Sequence, residues 1–516
     1  MTATKQRFYI TTPIYYVNDK PHVGHAYTTL ATDVLARFMR LDGVDVFFLT
    51  GTDEHGQKVQ KSAELAGMDP QAFTDQVSQN FRDLAVAMGF SNDAFIRTTE
   101  DRHKRACTAL WQRIAERGHI YLGSYAGWYS VRDEAFYGED ELTTVQGRKI
   151  APSGAECEWV EEPSYFFDLS QWQQPLLDHY AAHPDFIAPE SRRNEVLSFV
   201  QSGLRDLSVS RTTFDWGVPV PGDPDHVMYV WLDALTNYIS ALGFPDEGTA
   251  YTGAWPADLH MVGKDIVRFH AVYWPAFLMA ADLPLPRRVF AHGWWTNEGQ
   301  KISKSLGNVI DPLALIEAYG LDQVRYFLLR EVPFGRDGDF SHQAMIGRMN
   351  ADLANAYGNL AQRVLSMIHK NCAQKVPTPG DWTSADRQLL DQVEMLLPQL
   401  RVEMRAQGFS RALDLIWAVV YAANVYVDEQ APWALRKSDP DRMSTVLYVL
   451  AETVRQLAIL TQPFMPGASS ALLDQLAVDA EARSFAALGT RSALVAGTVL
   501  PKPQGVFPRW VEEAAS

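Results

Sequence analysis

The first fifty residues have the pattern of a strand, a helix and a second strand. Phe8 to Thr12 is rich in aromatic and β-branched residues, and Val46 to Leu49 is apolar on both faces, as is typical of a parallel strand covered on both sides. Between them, apolar residues recur with helical spacing at Leu30, Val34, Phe38 and Leu41, and Gly43 suits the helix end. The pattern predicts a doubly wound α/β sheet whose ligands bind beyond the strand carboxyl ends.

Two short motifs carry the chemistry. Pro-His-Val-Gly-His occupies residues 21–25, after the first strand, and Lys-Ile-Ser-Lys-Ser occupies residues 301–305, between Gly299 and Gly307. His22 and His25 at a helix N-terminus, with two ammonium groups on a flexible loop, suit the oxygens of a triphosphate. The chain lacks G-x-G-x-x-G and G-x-x-x-x-G-K-[ST], which disfavours ordinary Rossmann and P-loop cradles.

These groups suit activation of a carboxylate by ATP. An ionised carboxylate needs no base, so the protein has to position two reactants and neutralise phosphate charge. We predict four catalytic residues: His22, His25, Lys301 and Lys304. Gly24 joins them at the ATP, and Gly263 and Asp265 suit its ribose, because a glycine turn permits close approach and a carboxylate accepts from hydroxyls. An unrelated turn and a solvated lysine loop are the alternatives.

The local sequence pattern divides the rest of the chain into predicted domains. Residues 118–225 contain short strand-like pieces and acidic turns, which predicts an insertion. Parallel strands are expected again at 228–233 and within 259–265, where the strand ends in a glycine turn. From Ala344 onward helical periods dominate, with one apolar stripe at Leu353, Tyr357, Leu360, Val364 and Met367 and breaks near Pro377, Pro398, Pro432 and Pro463. We predict two catalytic halves at 1–117 and 226–325 around a connective insertion at 118–225, a link at 326–350, a helix bundle at 351–490 and a tail at 491–516.

Composition limits the partners. The formal charge of −16 disfavours nucleic acid binding by the whole surface, so RNA would need local basic patches. Basic residues recur at Arg325, Arg330, Arg336, Arg348, Arg363, Arg401, Arg405, Arg411, Arg436 and Lys437. An ordinary solvated helix surface is the alternative. We find no apolar run near the roughly 20 residues that span a bilayer and no secretory signal, so we expect a cytoplasmic protein without membrane contact. The three cysteines are dispersed and predict no disulfide framework.

The two motifs, in this order, resemble the class I aminoacyl-tRNA synthetases. Four further blocks, at residues 12–18, 51–56, 229–234 and 263–270, resemble the methionyl-tRNA synthetase family, and the match extends from about residue 8 to about residue 437. The resemblance implies a split Rossmann-like sheet with an inserted domain and an α-helical C-terminal bundle. It also implies ATP with Mg²⁺, L-methionine and tRNA(Met) with a CAU anticodon as reactants. Because no appended module follows the bundle, we expect a monomer.

The resemblance assigns a methionine pocket. Asp53 would hold the substrate ammonium, and the side-chain pocket would be lined by Ile14, Tyr16, Trp231, Ala234, Leu235, Tyr238, Ile266 and His270. An aromatic cage with one polar tip suits a thioether, which gains from aromatic contact and is a weak acceptor. Each aromatic residue taken singly is as consistent with core packing. Asp53, Glu54 and His55 also suggest a metal site, which we disfavour because consecutive residues of a strand diverge.

The predicted helix bundle contains the candidate RNA-binding residues. Asn359 and Arg363 are four residues apart and share a helix face, and Trp433 follows Pro432. By resemblance these three residues read the anticodon, and stacking with hydrogen bonds is the usual mode for unpaired bases. An exposed polar pair and a core Trp are the alternatives.

The insertion departs from many relatives. Where they carry zinc-binding cysteine pairs, this chain has Ser130 and Asp133, and residues 151–154 contain neither Cys nor His. We therefore expect a short form without structural zinc.

Three other functions remain open from the sequence. The first is a synthetase for another small apolar amino acid or for cysteine. The second is a small-molecule adenylyl or cytidylyl transferase, which shares the histidine turn but leaves the helical third unexplained. The third is a catalytically silent RNA-binding relative.

Overall fold

The structure is a computed structural model that describes residues 7–17, 20–133, 135–246, 251–302, 307–489 and 493–511. Its internal contacts divide the chain into two compact units. The first unit comprises Met1–Pro21 and Val46–His292, and the second comprises His22–Asp45 and Gly293–Ser516, each within the described ranges. The helix that links the first two strands thus belongs to the second unit and not to the sheet that flanks it in sequence.

A parallel sheet of six strands forms the centre of the first unit, which confirms the α/β prediction. From edge to edge its strands are Ala94–Arg97, Val46–Asp53, Phe8–Tyr16, Leu259–Gly263, Val289–His292 and Ile187–Ala188. All five pairings are parallel. The early strands extend to one side of Phe8–Tyr16 and the later strands to the other, so the connection direction reverses there. Ligands in such sheets bind beyond the strand ends at this reversal.

Helices and short turns surround this sheet. The helices are Gln57–Leu65, Pro70–Ala87, Asp101–Glu116, Gln173–Ala182, Glu190–Gln201, Val230–Leu235, Asn237–Ser240, Tyr251–Ala254 and Trp274–Ala280. The 3₁₀ turns are Glu139–Glu141, Leu169–Trp172 and Lys264–Ile266, and Phe269–Tyr273 is π-helical. The core between them includes the fully buried Trp274, Tyr180 and Tyr238.

The segment expected to hold short strand-like pieces contains two long strands. Ile120–Ser130 pairs antiparallel with Glu156–Phe167, in register from Ile120 opposite Phe167 to Tyr129 opposite Glu158. The sheet is completed by Ala135–Tyr137, Thr143–Val145, Arg148–Ile150 and Leu207–Ser208. A smaller antiparallel sheet follows, with strands Ser210–Arg211, Pro219–Val220 and Asp223–Met228. Ile187–Ala188, although inside this stretch of sequence, adds an edge to the parallel sheet.

The prediction of a parallel strand at residues 228–233 is wrong. The strand Asp223–Met228 ends where that segment begins and is antiparallel to both neighbours, and Val230–Leu235 is a helix. Five of the six helical residues are apolar, and all five are buried or half-buried. A short run that is apolar all round has no periodicity to distinguish a strand from a buried helix.

The second unit is mainly helical. Its helices are Val23–Leu41, Pro312–Tyr319, Leu321–Arg330, His342–Arg348, Asn359–Asn371, Ser384–Glu394, Leu396–Arg405, Phe409–Gln430, Pro432–Ser438, Pro440–Thr461 and Pro466–Gln475. Met349–Gly358 is π-helical, and Ala480–Ala482 and Phe485–Ala487 are 3₁₀ turns. A three-stranded sheet is formed by Trp295–Asn297, Gln300–Lys301 and Gly338–Phe340.

The apolar stripe of the bundle holds for its first four positions. Leu353, Tyr357, Leu360 and Val364 are buried, whereas Met367 is half-buried and Ile368 takes the buried position in its place. The π-helical stretch winds more residues into each turn, so the phase of the α-helix after it differs from a single continuous helix.

One helix among the described residues is long and apolar enough to cross a membrane, which corrects the expectation that no such run exists. It is Pro440–Thr461, and 94% of its most apolar window is buried inside the protein. Its composition therefore matches a core helix of the bundle.

The helix that carries the histidine motif, Val23–Leu41, is called the signature helix below. Asp33 on its buried side accepts from the Arg325 guanidinium at 2.7 Å, and Arg325 also donates to the carbonyls of Pro463 and Phe464 at 2.9 Å. At its C-terminal end, Asp42 accepts from Arg401. Two ion pairs therefore hold the helix within the second unit.

Candidate active site

The histidine motif caps the signature helix. Nδ1 of His22 accepts from the backbone N–H of Gly24, and Nδ1 of His25 accepts from the backbone N–H of His22, both at 3.1 Å. The two rings stack with centroids 3.9 Å apart. A Cβ on Gly24 would lie 2.9 Å from Cε1 of His22, so a side chain at this position would displace the His22 ring.

These contacts set the tautomers of both rings. A ring nitrogen that accepts from a backbone N–H carries no proton, so each neutral imidazole bears its proton on Nε2. The turn therefore offers two Nε2–H donors beside the positive end of a 19-residue helix.

The lysine motif begins on a tight hairpin. Trp295–Asn297 and Gln300–Lys301 pair through a turn in which Glu298 and Gly299 both have positive φ. Nζ of Lys301 lies 5.9 Å from the ring centroid of Trp294. Lys304, like Ser303 and Ser305, lies outside the described residues.

The segment after this loop contacts the histidine motif directly. The backbone N–H of Val23 donates to the carbonyl of Ile310 at 3.0 Å. Residues on the two sides of the loop are also hydrogen-bonded to each other, since Nδ2 of Asn308 donates to the carbonyl of Lys301 at 3.1 Å. The structure thus places His22 and His25 in the same compact unit as Lys301, and the histidine motif in hydrogen-bond contact with the segment that follows the lysine loop.

Gly263 ends the strand Leu259–Gly263 in the first unit, and Asp265 lies in the 3₁₀ turn Lys264–Ile266 that follows. Asp265 is exposed in the 3₁₀ turn, and a Cβ on Gly263 would lie 2.5 Å from its Oδ1.

Two polar side chains meet inside the group of residues predicted as a methionine pocket. Tyr238 donates its hydroxyl to Nε2 of His270 at 2.6 Å, and Nδ1 of His270 donates to the carbonyl of Ile266 at 3.0 Å. Burial lowers the pKa of His270 to about 4, so the ring is neutral at pH 7. Burial also raises the pKa of Tyr238, which keeps its proton.

Aromatic and apolar groups surround this pair. Trp231 stacks on Phe269 with centroids 3.7 Å apart, and lies 6.2 Å edge-on from His270. Ala234 and Leu235 are buried on the same short helix as Trp231. The remaining predicted residues, Ile14 and Tyr16 on the first strand, are half-buried and pack against this core.

Asp53 is the last residue of the strand Val46–Asp53 and is buried at 6% exposure. It lies beside Tyr16 in the strand register, at the carboxyl edge of the sheet. The sequence prediction placed a substrate ammonium here, and a buried carboxylate at this edge offers the required charge.

The metal alternative at residues 53–55 is disfavoured by where the side chains point. Glu54 accepts two hydrogen bonds from Arg97, at 2.7 and 2.9 Å, while His55 contacts Asp233 at 2.6 Å. The side chains of Glu54 and His55 therefore bind different partners, Arg97 and Asp233.

Sequence reasoning missed the residues behind the pocket. His55 and His103 both donate to Asp233, and Cys107 packs beside His103 with Sγ 3.2 Å from Nε2. Asp233 stands inside a sequence block that we noted, yet its partners lie 178 and 130 residues away. Nothing local in the sequence identifies them.

The insertion contains a hydrogen-bonded turn around Ser130 and Asp133, the two residues for which the sequence predicts no zinc binding. Asp133 accepts from the hydroxyls of Ser153 and Tyr137, and its N–H donates to Oγ of Ser130 at 3.2 Å. Nearby, Ala151, Ala155 and Cys157 form a small apolar cluster. One carboxylate and three hydroxyls do not make the Cys or His set of a structural zinc site.

The three predicted anticodon residues lie in the second unit. The Arg363 guanidinium stacks over the ring of Trp433 at 5.4 Å and donates to Asp428 at 3.0 Å. Trp433 is 48% exposed and Asn359 is exposed, so neither is a core residue. An exposed indole with a held guanidinium can stack on and hydrogen-bond an unpaired base.

Most of the basic residues considered as an RNA patch are neutralised within the second unit. Arg325 is fully buried against Asp33. Five more form ion pairs: Arg330 with Asp414, Arg348 with Glu331, Arg363 with Asp428, Arg401 with Asp42 and Arg411 with Glu403. These six side chains are therefore each paired with a carboxylate of the second unit.

Known proteins match the chain over almost its whole length. The family profile described as "tRNA synthetases class I (M)" matches residues 8–365, and that described as "Anticodon binding domain of methionyl tRNA ligase" matches residues 376–516. The methionine–tRNA ligase of Mesorhizobium japonicum is 59% identical over 511 residues, covering 99% of each chain. That of Rickettsia bellii is 58% identical over 508 residues, covering 98% of this chain and 99% of the relative.

A solved structure agrees with the sequence relatives. Mycobacterium tuberculosis methionyl-tRNA synthetase, in complex with methionyl-adenylate, superposes with a TM-score of 0.96 at 54% identity, covering 98% of this chain and 100% of the other. The chain therefore belongs to the methionyl-tRNA synthetase family, the methionine–tRNA ligases of class I.

Proposed function

We propose that the protein activates L-methionine with ATP to methionyl-adenylate and pyrophosphate, and then transfers the methionyl group to the 3′ adenosine of tRNA(Met) bearing a CAU anticodon. The observation that carries this proposal is the buried Tyr238–His270 pair beside Trp231. An aromatic enclosure with one hydroxyl suits a thioether, because sulfur gains from ring contact and accepts only a weak hydrogen bond.

The proposed ATP residues act by position and charge. His22 and His25 donate through Nε2–H to the triphosphate, and Lys301 and Lys304 add ammonium groups. Gly24 lies beside them at the ATP, where a side chain would displace the His22 ring. The capped helix N-terminus and the hairpin under Lys301 support these roles. Gly263 and Asp265 are proposed at the ribose, where a carboxylate accepts from hydroxyls.

The proposed methionine residues separate the two ends of the substrate. Asp53 binds the ammonium group, since a buried carboxylate favours a cation over water. The thioether end is enclosed by Ile14, Tyr16, Trp231, Ala234, Leu235, Tyr238, Ile266 and His270. The methionine carboxylate, already ionised at pH 7, then attacks the α-phosphorus without a protein base.

Mg²⁺ is proposed to enter with ATP. The residues proposed at the triphosphate are imidazoles and ammonium groups, which are poor magnesium ligands, so phosphate oxygens and water would hold the ion. We propose no structural zinc, because Ser130, Asp133 and Ser153 satisfy one another in place of a thiolate set.

Asn359, Arg363 and Trp433 are proposed to read the CAU anticodon. The exposed indole provides a stacking plane, and the guanidinium that Asp428 holds provides donors for a base edge. Asn359, on the same helix face, adds an amide donor and acceptor.

The remaining organisation is also a proposal. We propose a monomer in the cytoplasm without membrane contact, and the domain boundaries predicted from the sequence. The separate antiparallel sheet within residues 120–167 supports an insertion, and the mainly helical second unit supports the bundle.

Pyrophosphate exchange with four amino acids tests the function. The wild-type protein should exchange pyrophosphate into ATP with methionine and much more weakly with leucine, valine or cysteine. Aminoacylation of a CAU-bearing tRNA should then follow. A preference for another amino acid would reject the pocket assignment, and exchange without tRNA charging would reject the ligase.

A further inference from the structure

A carboxylate behind the proposed methionine pocket has no role in the chemistry above. Asp233 is fully buried in the helix Val230–Leu235, called the pocket helix below, between Trp231 and Ala234. Its Oδ2 accepts from Nδ1 of His55 at 2.6 Å and its Oδ1 accepts from Nε2 of His103 at 2.7 Å. Burial alone would raise the pKa of Asp233, but the two histidines hold it well below its ordinary value.

His55 ties this carboxylate to two other parts of the pocket. It lies two residues after Asp53, the proposed ammonium ligand, and its carbonyl accepts from the Tyr16 hydroxyl at 3.0 Å. The edge of its ring packs on Trp216, with centroids 5.5 Å apart. His55 thus follows the second strand, accepts a hydrogen bond from Tyr16 of the first strand, and donates one to Asp233 of the pocket helix.

His103 holds the same carboxylate from the opposite side. It lies on the helix Asp101–Glu116, is fully buried, and places Nδ1 at 2.8 Å from Oγ of Ser240. Asp233 is therefore fixed by two rings on two different elements, and the pocket helix cannot rotate without breaking at least one of these hydrogen bonds.

We propose that His55, Asp233 and His103 form a buried brace that positions the methionine pocket, and that all three are positioning residues for this substrate. The brace sets the distance from Asp53, which binds the ammonium end of methionine, to Tyr16 and the pocket helix, which enclose its thioether end. This inference rests on the proposed function. Because none of the three is among the residues proposed to contact ATP, the brace governs the KM for methionine and leaves the KM for ATP nearly unchanged.

A buried metal ion is the competing explanation. His103, Cys107 and Asp233 each place one ligand atom within 4.8 Å of the others. However, Nε2 of His103 and Oδ1 of Asp233 are 2.7 Å apart, which is a hydrogen-bond distance to a carboxylate. Two ligands on a tetrahedral zinc with bonds of about 2.0 Å would be about 3.3 Å apart. The geometry thus favours a proton between them.

Substitution of Asp233 and His55 tests the brace in the pyrophosphate exchange reaction. We expect Asp233→Asn and His55→Ala to raise the KM for methionine by about tenfold or more, and the KM for ATP by less than about threefold. His55→Asn should restore most of the methionine KM, since the asparagine amide nitrogen occupies the place of Nδ1.

A matched control removes a similar contact elsewhere. Asp168 accepts from His119 at 2.9 Å outside the pocket, so Asp168→Asn should leave both KM values unchanged. Cys107→Ser, analysed for bound metal with the wild-type protein, separates the brace from a metal site. We expect an unchanged methionine KM and no stoichiometric metal in either protein.

Three outcomes would overturn the brace. These are an unchanged methionine KM in folded Asp233→Asn, an equal rise in both KM values, or a stoichiometric metal that Cys107→Ser loses. If Asp233→Asn does not fold, the comparison of His55→Ala with His55→Asn decides, and a failure of Asn to rescue would count against the brace. Wild-type protein without methionine-dependent exchange would instead reject the function, and the brace with it.

Discussion

The backbone N–H of Val23 donates a hydrogen bond to the carbonyl oxygen of Ile310 at 3.0 Å. Val23 begins the signature helix directly after His22, and Ile310 follows the lysine loop. The backbone of the histidine motif is thus joined to the segment that follows the lysine loop, and this contact does not depend on side-chain charge. His22, His25 and Lys301 also belong to the same unit as the helix bundle.

Substitution of His25 tests the role of the histidine turn. His25→Asn can keep the capping contact, because its amide oxygen can accept from the His22 N–H, but it loses the Nε2–H donor. We expect the rate of methionine-dependent pyrophosphate exchange to fall about 10²- to 10³-fold, the usual loss for one transition-state donor. The melting temperature should stay near that of the wild type. Full activity would mean that the ring does not touch the triphosphate.

Substitution of Trp433 separates the two half-reactions. Trp433→Ala should leave pyrophosphate exchange nearly normal, since the residue lies in the helical bundle. The kcat/KM for tRNA should fall roughly 5- to 150-fold. This factor corresponds to about 1–3 kcal/mol, the contribution of one base stacked on an aromatic ring. Trp433→Phe keeps a stacking plane and should recover most of the loss. Equal losses in both half-reactions would contradict this division.

Substitution of Tyr238 tests the polar end of the pocket. Tyr238→Phe removes the hydroxyl that donates to His270 and leaves a buried acceptor unsatisfied, at a cost of about 1–3 kcal/mol. We expect a higher KM for methionine in pyrophosphate exchange and a lower melting temperature. Tyr448→Phe is the control, because Tyr448 donates to the Leu494 carbonyl in the other unit. It should lower the melting temperature without changing the KM.

The protonation of His270 can be followed by NMR. Its pKa is about 4 in the folded protein, against a reference value of about 6.5 for an unperturbed histidine. As the pH falls, the unfolded chain takes up a proton at this histidine before the folded protein does. The free energy of unfolding that depends on neutral His270 is therefore fully present above about pH 6.5 and is lost as the pH falls toward 4. The imidazole signal assigned by comparison with His270→Asn should not titrate between pH 8 and about 5.5. A midpoint near 6.5 would show that the ring is solvated.

The buried ion pair under the signature helix should contribute strongly to stability. Arg325→Met leaves Asp33 buried with only Arg37 beside it among the ion pairs described, and we expect a loss of about 3–5 kcal/mol in unfolding free energy. Arg102→Met breaks an exposed pair with Glu100 and should cost about 0–1 kcal/mol. Similar losses in the two variants would show that the buried pair has no special weight.

The sequence alone predicted features that depend on nearest neighbours. The first strand, the signature helix and the second strand follow from apolar spacing and a closing glycine, and all three are present with the predicted order. The Pro-His-Val-Gly-His motif carries its own cap, because His22, Gly24 and His25 contact one another within four residues. Local periodicity and local hydrogen bonds are written in adjacent residues, so a sequence reveals them.

Only the tertiary structure decided the features that depend on distant partners. It made a helix of residues 230–235, paired Asp233 with His55 and His103, and neutralised Arg363 with Asp428. It also placed the signature helix with the bundle through Asp33 and Arg325, which are 292 residues apart. The physical reason is that burial and charge pairing are set by whichever side chains the fold brings together, and no local period or motif records that choice.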